Sequence, residues 1–132
     1  MKLCMIGTGY VGLVSGTCFA DLGNKVYCVD KDKKKINQLN SGLSTIFEPG
    51  LDEIIKKNYN SGRLVFTSDI KEALRNANIV FICVGTPTIK NSQSVDLKYV
   101  FNAVKEIAKF SKNKKLIITK STVPVGTGDK IE

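Results

Sequence analysis

The sequence Gly7-Thr8-Gly9-Tyr10-Val11-Gly12 decides the fold of this 132-residue chain. It follows a short apolar strand and opens a helix, which is the context that a dinucleotide-binding G-x-G-x-x-G turn requires. In such a turn Gly7 permits the tight bend, Gly9 leaves room for a pyrophosphate, and Gly12 lets the helix lie close to the strand. The free N–H groups at the start of the helix attract phosphate. The alternative is an ordinary strand-to-helix turn with no ligand.

Asp30 supports the interpretation of the glycine turn as a dinucleotide-binding site. It ends the second predicted strand at about the 20-residue spacing from the turn at which a carboxylate accepts hydrogen bonds from the adenosine ribose. Its negative charge would repel a 2′-phosphate, which favours NAD over NADP. Lys31 and Lys35 keep NADP open, because a nearby cation can accommodate the extra phosphate.

Strands and helices alternate along the whole chain, which predicts right-handed crossovers and a doubly wound, Rossmann-type parallel sheet of order 3-2-1-4-5, truncated before strand six. The predicted strands cover 2–6, 25–29, 63–67, 78–84 and 116–119. The predicted helices cover 10–22, 32–40, 51–58, a fourth ending at Arg75 with Ser68 or Asp69 as its cap, and 96–110 with Asp96 as its cap.

Hydrophobic periodicity indicates which helix faces pack on the sheet. The predicted packing stripes are Val11, Val14, Cys18 and Leu22 in the first helix and Val100, Val104, Ile107 and Ala108 in the fifth. A further helix is predicted to begin at Val125. Because we expect a helix that begins there to continue past Glu132, we expect the chain to be a fragment.

The composition fits one domain over residues 1–132. Hydrophobic residues make up 42% of the chain, which is enough for one core. Lys and Arg number 20 against 12 Asp and Glu, giving a formal net charge of +8. The clusters at 33–35 and 112–115 are nevertheless typical of solvated helix ends and loops, and no aromatic residues interleave them. We therefore expect no nucleic-acid partner.

The chain contains four cysteines and no histidine. Because Cys4, Cys18, Cys28 and Cys83 form no Cys-x-x-Cys pair, we expect no metal site. Each cysteine lies in an apolar run or stripe, where a reduced cysteine packs as a small core residue, and this favours the cytoplasm. No stretch is long and apolar enough to predict a membrane span.

Two more loops follow the predicted strands four and five, at the edge where open parallel sheets bind ligands. They are the segments 85–88 and 121–126. Gly85 removes a side chain where a cofactor would pass, and the hydroxyls of Thr86 and Thr122 can bond ribose, nicotinamide or water. The alternative is that these hydroxyl residues, Ser121 in particular, cap the helices that follow.

Six motifs together resemble the UDP-glucose dehydrogenase family across nearly the whole chain. They are Met5-Ile6-Gly7-Thr8-Gly9-Tyr10-Val11-Gly12-Leu13, Val29-Asp30, Phe47-Glu48-Pro49-Gly50-Leu51, Gly62-Arg63-Leu64, Val84-Gly85-Thr86-Pro87-Thr88 and Lys120-Ser121-Thr122-Val123-Pro124-Val125-Gly126. The later Thr-Pro-Thr and Ser-Thr-Val-Pro segments are typical of nucleotide-sugar dehydrogenases. The Glu-Pro-Gly-Leu segment favours UDP-glucose over GDP-mannose and N-acetylmannosamine.

The resemblance implies a cytoplasmic, NAD-dependent, homo-oligomeric UDP-glucose 6-dehydrogenase that oxidises UDP-glucose to UDP-glucuronate with two NAD. It implies that Thr122 also helps to hold a catalytic water near the reacting carbon. With the turn and the loops included, the candidate cofactor-binding residues are Gly7, Gly9, Tyr10, Val11, Gly12, Asp30, Lys35, Gly85, Thr86 and Thr122.

The sequence departs from the family because it stops before the sixth strand, the central helix and the UDP-binding part. The family's catalytic cysteine lies in that missing part, and none of the cysteines present matches it. We therefore expect the chain to bind NAD without turnover. Two alternatives stay open: the NAD-binding domain of another nucleotide-sugar or hydroxy-acid dehydrogenase, and a non-catalytic NAD-responsive module.

Overall fold

The computed structural model describes residues 1–89 and 94–131, so the predicted loop 85–95 lies partly outside the described residues. The strands are β1 (Lys2–Ile6), β2 (Lys25–Val29), β3 (Leu64–Thr67), β4 (Ile79–Ile82) and β5 (Leu116–Thr119), and the helices are α1 (Tyr10–Asp21), α2 (Lys33–Asn40), α3 (Leu51–Asn60), α4 (Ile70–Asn76) and α5 (Lys98–Phe110). The strands form a parallel sheet in the order β3-β2-β1-β4-β5. The predicted sheet and strand order are confirmed.

After its exposed first residue, Lys2, the central strand β1 is apolar from Leu3 to Ile6 because both of its faces are covered. Leu3 and Met5 join the core that α1, α2 and α3 close on one face of the sheet. Cys4 and Ile6 point to the other face and join the core beneath α4 and α5. Since side chains alternate along a strand, a continuous apolar run is what a strand between two helical layers requires.

The packing face predicted for α1 is wrong at three of its four positions, since only Val14 packs, partly buried, against the core. Val11 and Cys18 are exposed and Leu22 is 78% exposed, whereas the buried residues of α1 are Gly12, Leu13, Gly16, Thr17 and Ala20. A Cβ built on Gly16 would lie 2.8 Å from the Cys28 Sγ. The helix therefore packs through Leu13 and a set of small residues, and the small residues allow its backbone to approach the sheet closely.

Helix α5 packs through a face close to the predicted one, with one difference. Val100 and Ile107 are buried as predicted and Val104 is half-buried, but Ala103 is buried and Ala108 is exposed. At its start the Asp96 Oδ1 accepts a hydrogen bond from the Lys98 N–H at 2.9 Å, although the helix is capped one residue later. In the described part of the chain, no helix has the length and apolar character to cross a membrane.

The helix predicted from Val125 is absent from the described residues 121–131. Hydrogen bonds there span three residues, as from the Thr127 N–H to the Pro124 carbonyl at 3.2 Å, which is the pattern of successive turns. Gly126 has a φ of 79°, a left-handed conformation that a right-handed helix excludes. The predicted helix was our reason for expecting the chain to be a fragment, and the structure does not provide that reason.

Candidate functional site

The candidate residues meet where the strand order reverses, between β1 and β4. Beyond β1 the Gly7 N–H donates to the Val29 carbonyl at 2.8 Å, and beyond β4 the Cys83 N–H donates to the Ile6 carbonyl at 2.8 Å. The helices that follow these two strands lie on opposite faces of the sheet. Open parallel sheets bind their ligands in the crevice that such a reversal creates.

The three glycines of the turn differ in what surrounds them. A Cβ on Gly7 would lie 2.7 Å from the Cys83 carbonyl oxygen, and one on Gly12 would lie 1.9 Å from the Gly7 carbonyl oxygen. A Cβ on Gly9 would meet no atom of the described residues within 4 Å. Gly9 also has an ordinary φ of −71°. The fold therefore explains the glycines at 7 and 12, whereas a ligand above the turn would explain the glycine at 9.

Asp30 is fixed to the glycine turn through Thr8. Its Oδ2 accepts hydrogen bonds from the Thr8 N–H at 2.9 Å and the Thr8 Oγ1 hydroxyl at 2.7 Å, and its Oδ1 accepts one from the Asp32 N–H at 3.0 Å. Thr8 is only 1% exposed. The sequence analysis missed Thr8, because the middle position of Gly-x-Gly carries no rule that favours a hydroxyl.

These contacts decide the charge of Asp30. Partial burial alone would raise the pKa of the carboxyl group, but hydrogen bonds from Asp32 and Thr8, helped by the positive charge of Lys35, lower it below its ordinary value. The site therefore presents a carboxylate, which is a pure acceptor for hydroxyl groups, at neutral pH.

Lys31 and Lys35, the two cations that could accommodate the extra phosphate of NADP, have different environments. The Lys31 Nζ forms an ion pair with a Glu106 carboxylate oxygen on α5 at 3.1 Å. Lys35 is half-buried in the first turn of α2, where its charge acts on Asp30. The Lys31 ammonium is thus paired with α5 at an exposed position, whereas the positive charge of Lys35 favours the ionised form of Asp30.

Tyr10 and Val11 occupy the first turn of α1, where both are exposed. The Tyr10 hydroxyl donates a hydrogen bond to a Glu48 carboxylate oxygen. Glu48 lies in the loop between α2 and α3, so this contact ties that loop to the glycine turn. The sequence motif that contains Glu48 contributed to the family resemblance, but the residue was not named as a site residue.

The loops after β4 and β5 are joined by Ser121. Its hydroxyl donates to the Val84 carbonyl at 2.7 Å, and its N–H donates to the Ile82 carbonyl at 3.0 Å. The alternative that Ser121 caps a following helix is therefore wrong. Thr86 is half-buried and Thr122 is exposed. Because their loops follow the parallel strands β4 and β5, both threonines lie at the same edge of the sheet as the glycine turn.

The cysteines are free thiols, and three of them are chemically quiet. Burial raises the pKa of Cys4 to about 12 and that of Cys83 to about 11, and it also raises the pKa of Cys28. Protonated thiols are poor nucleophiles. The expectation that all four cysteines are core residues is wrong for Cys18, which is exposed on α1.

Comparison with known proteins identifies one family. The model of the NAD binding domain of the UDP-glucose/GDP-mannose dehydrogenase family matches residues 1–132. Among curated proteins, the UDP-glucose 6-dehydrogenase of Rhizobium meliloti is 54% identical over 132 residues, which are 100% of this chain and 30% of that enzyme. The UDP-glucose 6-dehydrogenase TuaD of Bacillus subtilis is 51% identical over 131 residues, 99% of this chain and 28% of that enzyme.

A solved structure gives the same relationship. The GDP-mannose dehydrogenase of Pseudomonas aeruginosa, determined as a ternary complex, superposes with a TM-score of 0.93 at 36% identity. The match covers 99% of this chain and 30% of that one. The chain therefore spans about three tenths of the length of the relatives it matches.

Proposed function

The chain belongs to the UDP-glucose/GDP-mannose dehydrogenase family as its NAD-binding domain, and from this premise we propose that the glycine turn, Asp30 and the loops after β4 and β5 bind NAD. The observation that carries the proposal is the connection from Asp30 through Thr8 to the turn. It supports the proposal because a carboxylate that could accept ribose hydroxyls lies beside a turn that could hold phosphate, as one dinucleotide requires.

The turn fits a pyrophosphate. The first helical hydrogen bond of α1 runs from the Leu13 N–H to the Gly9 carbonyl at 2.9 Å, so the N–H groups of residues 10–12 precede the ladder and remain available to an anion. The open space at Gly9 lies at the same end of the helix. Phosphate oxygens would accept these N–H groups where the helix dipole is positive.

Asp30 fits the adenosine ribose. A carboxylate has about four lone-pair sites, and those not used by Thr8 and Asp32 can accept the ribose hydroxyls. The same charge repels a 2′-phosphate. With Lys31 paired to Glu106, we propose that the site prefers NAD to NADP.

The loops after β4 and β5 would hold the nicotinamide side. Gly85 leaves the backbone open there, and the hydroxyls of Thr86 and Thr122 would bond the ribose or the amide. NAD supplies the hydride acceptor when it is bound. Thr122 would in addition hold the water that takes part in the reaction, as the family resemblance implies, so we assign Thr122 as a positioning residue.

For the whole protein we propose the oxidation of UDP-glucose to UDP-glucuronate by a cytoplasmic homo-oligomer. The relatives named UDP-glucose 6-dehydrogenase, at 54% and 51% identity, support this substrate. The thiols of Cys4, Cys28 and Cys83 are buried and unsuited to a nucleophile, and the exposed Cys18 matches no catalytic motif, so the proposal assigns the nucleophile, as the family resemblance implies, to a residue outside these 132 residues. This chain would bind the cofactor without turnover.

Calorimetric titration of the chain with NAD and with NADP tests the cofactor site. We expect preferential NAD binding, with the affinity reduced about tenfold or more by Asp30→Asn, because charge-assisted hydrogen bonds to the ribose are weakened. Glu53→Gln makes the same charge change on the exposed side of α3 and should bind NAD normally. Equal NAD affinity in both folded variants would refute the assignment of Asp30.

The substrate proposal needs the whole protein. Its reduction of NAD should be measured with UDP-glucose and with GDP-mannose under the same conditions. Preference for UDP-glucose is expected. Turnover of GDP-mannose alone would reject the proposed substrate while leaving the NAD site intact, and this outcome is separate from the titration above.

A further inference from the structure

A cavity of about 360 Å³ lies at the opposite edge of the sheet, where α4 and α5 end and β5 begins. Its lining includes the basic side chains of Lys71, Arg75, Lys109, Lys112 and Lys115. In the described part of the chain, no acidic side chain lines it. The cavity is separated from the glycine turn by the length of the sheet.

Part of this positive charge serves the fold. The carboxyl end of a helix carries about half a negative charge, so the ends of α4 and α5 together attract about one cation. Lys115 serves the end of α4, because its ammonium donates to the Leu74 carbonyl at 2.6 Å and the Ala77 carbonyl at 2.7 Å. Arg75 and Lys109 stand in the last turns of α4 and α5, but the five basic side chains around the cavity together carry more positive charge than the two helix ends attract.

The basic side chains other than Lys115 converge without an anionic partner. The Lys71 Nζ, from α4, lies 4.9 Å from the centroid of the Phe110 ring, and the Lys109 Nζ, from α5, lies 5.3 Å from the same centroid. Neither of them, nor Arg75 or Lys112, forms an ion pair among residues 1–89 and 94–131. Like charges brought together in this way repel each other unless an anion lies between them.

Ser111 provides an independent observation. It lines the same cavity, and its hydroxyl oxygen is buried without a hydrogen-bond partner among the described residues. Leaving a buried hydroxyl unpaired is costly, so the Ser111 hydroxyl would gain from a hydrogen bond to a ligand in the cavity. The cavity therefore offers a hydroxyl donor, several cations and one aromatic ring.

We propose that this cavity binds a small polyanion with phosphoryl groups, of the size of pyrophosphate or of the diphosphate part of a nucleotide. Its volume is within the usual range of ligand sites, about 300–1,000 Å³. Arg75 can bond two phosphoryl oxygens at once, and the lysines act as point charges. The site is independent of the NAD proposal, because it uses different residues at the other edge of the sheet.

Titration of the ¹⁵N-labelled chain with pyrophosphate, followed by amide chemical shifts, tests the proposal. We expect saturating shifts at residues 110–112. Pyrophosphate can also bind at the glycine turn, and binding there would be seen separately as shifts at residues 7–12. A parallel titration with ADP separates the two ligand sources: equal affinity means that phosphoryl groups suffice, and tighter ADP binding means that the base adds contacts, both in agreement with the proposal.

Variants locate the site. Arg75→Gln combined with Lys112→Gln should weaken binding at residues 110–112 about tenfold or more, since charge-assisted contacts are lost. Lys33→Gln combined with Lys34→Gln lowers the net charge equally on α2 and should leave that affinity unchanged. Shifts that never saturate, or that persist unaltered in the Arg75 and Lys112 variant, would overturn the proposal.

Ser111→Ala adds a test that general electrostatics cannot imitate, because the charge stays constant. Removing an unpaired hydroxyl should leave the thermal midpoint of the free chain unchanged or raise it, yet weaken pyrophosphate binding about threefold. Unchanged affinity in this variant would contradict the assignment of the hydroxyl to the ligand.

Discussion

The carboxyl edge of the sheet has two halves that are built differently. In the first half, the glycine turn and Asp30 are linked by hydrogen bonds to Thr8, whose side chain is buried. In the second half, the loops after β4 and β5 are tied together by Ser121, while Thr122 is exposed and Val125 is fully exposed.

The difference shows how one edge can serve two purposes. The first half is preorganised for the invariant part of a dinucleotide, because its acceptors and N–H groups are held by the fold itself. The second half carries hydroxyls on the surface, where another part of the protein or a substrate can reach them. Substitutions at the tightly packed positions of the first half, Gly7, Thr8 and Gly12, should therefore disturb folding and binding together, and those at exposed positions of the second half should spare folding.

The largest effect is expected from Gly12→Ala, compared with Gly9→Ala. A methyl group at position 12 would collide with the Gly7 carbonyl oxygen, so we expect a loss of about 4 kcal/mol or more in the free energy of unfolding. Domains have only about 5–15 kcal/mol to lose. Urea denaturation measures the change.

Gly9→Ala is the matched control for folding and a test of the ligand interpretation. Its new methyl group meets open space, so stability should stay within about 0.5 kcal/mol of the parent. NAD affinity should nevertheless fall about tenfold, because the pyrophosphate approaches there. A Gly9→Ala chain that binds NAD normally would reduce the turn to a structural element.

A smaller effect is expected when Thr8 of the first half and Thr122 of the second half are each replaced. Thr8→Val keeps the shape but removes the hydroxyl that donates to Asp30, and it should cost about 1–2 kcal/mol because a charged acceptor loses a donor. Thr122→Val, at an exposed position, should change stability by less than about 0.5 kcal/mol. Thermal or urea unfolding compares them, and equal losses would show that the halves are equally fixed.

The smallest effect is the pH dependence that Asp30 contributes. Because the folded chain lowers its pKa, its stabilising contribution is complete above the unfolded value of about 3.9 and is lost as the pH falls through the folded value. The difference in unfolding free energy between the parent and Asp30→Asn should therefore be constant from about pH 5 to 8 and shrink in acid. A difference that grew on acidification would reverse the assigned direction.

The sequence predicted the elements of the first half well because their rules are local. The turn, the strand before it and Asp30 are all recognised by spacing and by the special geometry of glycine. The strand order follows from the alternation of strands and helices. The buried face of α1 could not be found in the same way, because a periodicity rule gives weight to Val11 and Leu22 and little to Gly12 or Gly16, which fill almost no volume.

The failures in the second half have a different origin. Ser121 bonds the Val84 carbonyl across two strands, and no local pattern reveals a partner so distant along the chain. At Val125 the pattern of a helix start was present, but the left-handed Gly126 directs the chain into turns. Local propensity predicted the positions of these loops and could not predict what their side chains reach.

The positions of the cysteines allow chemical labelling of the thiols to measure how often the sheet opens. Cys18 lies on the outer side of α1, whereas Cys4 and Cys28 are on adjacent central strands and are fully buried. An alkylating reagent can reach the first thiol in the native state, and it can reach the other two only when the strands part. The ratio of fast to slow labelling is therefore a measure of how often the centre of the sheet opens, in a chain that still appears folded by every averaged probe.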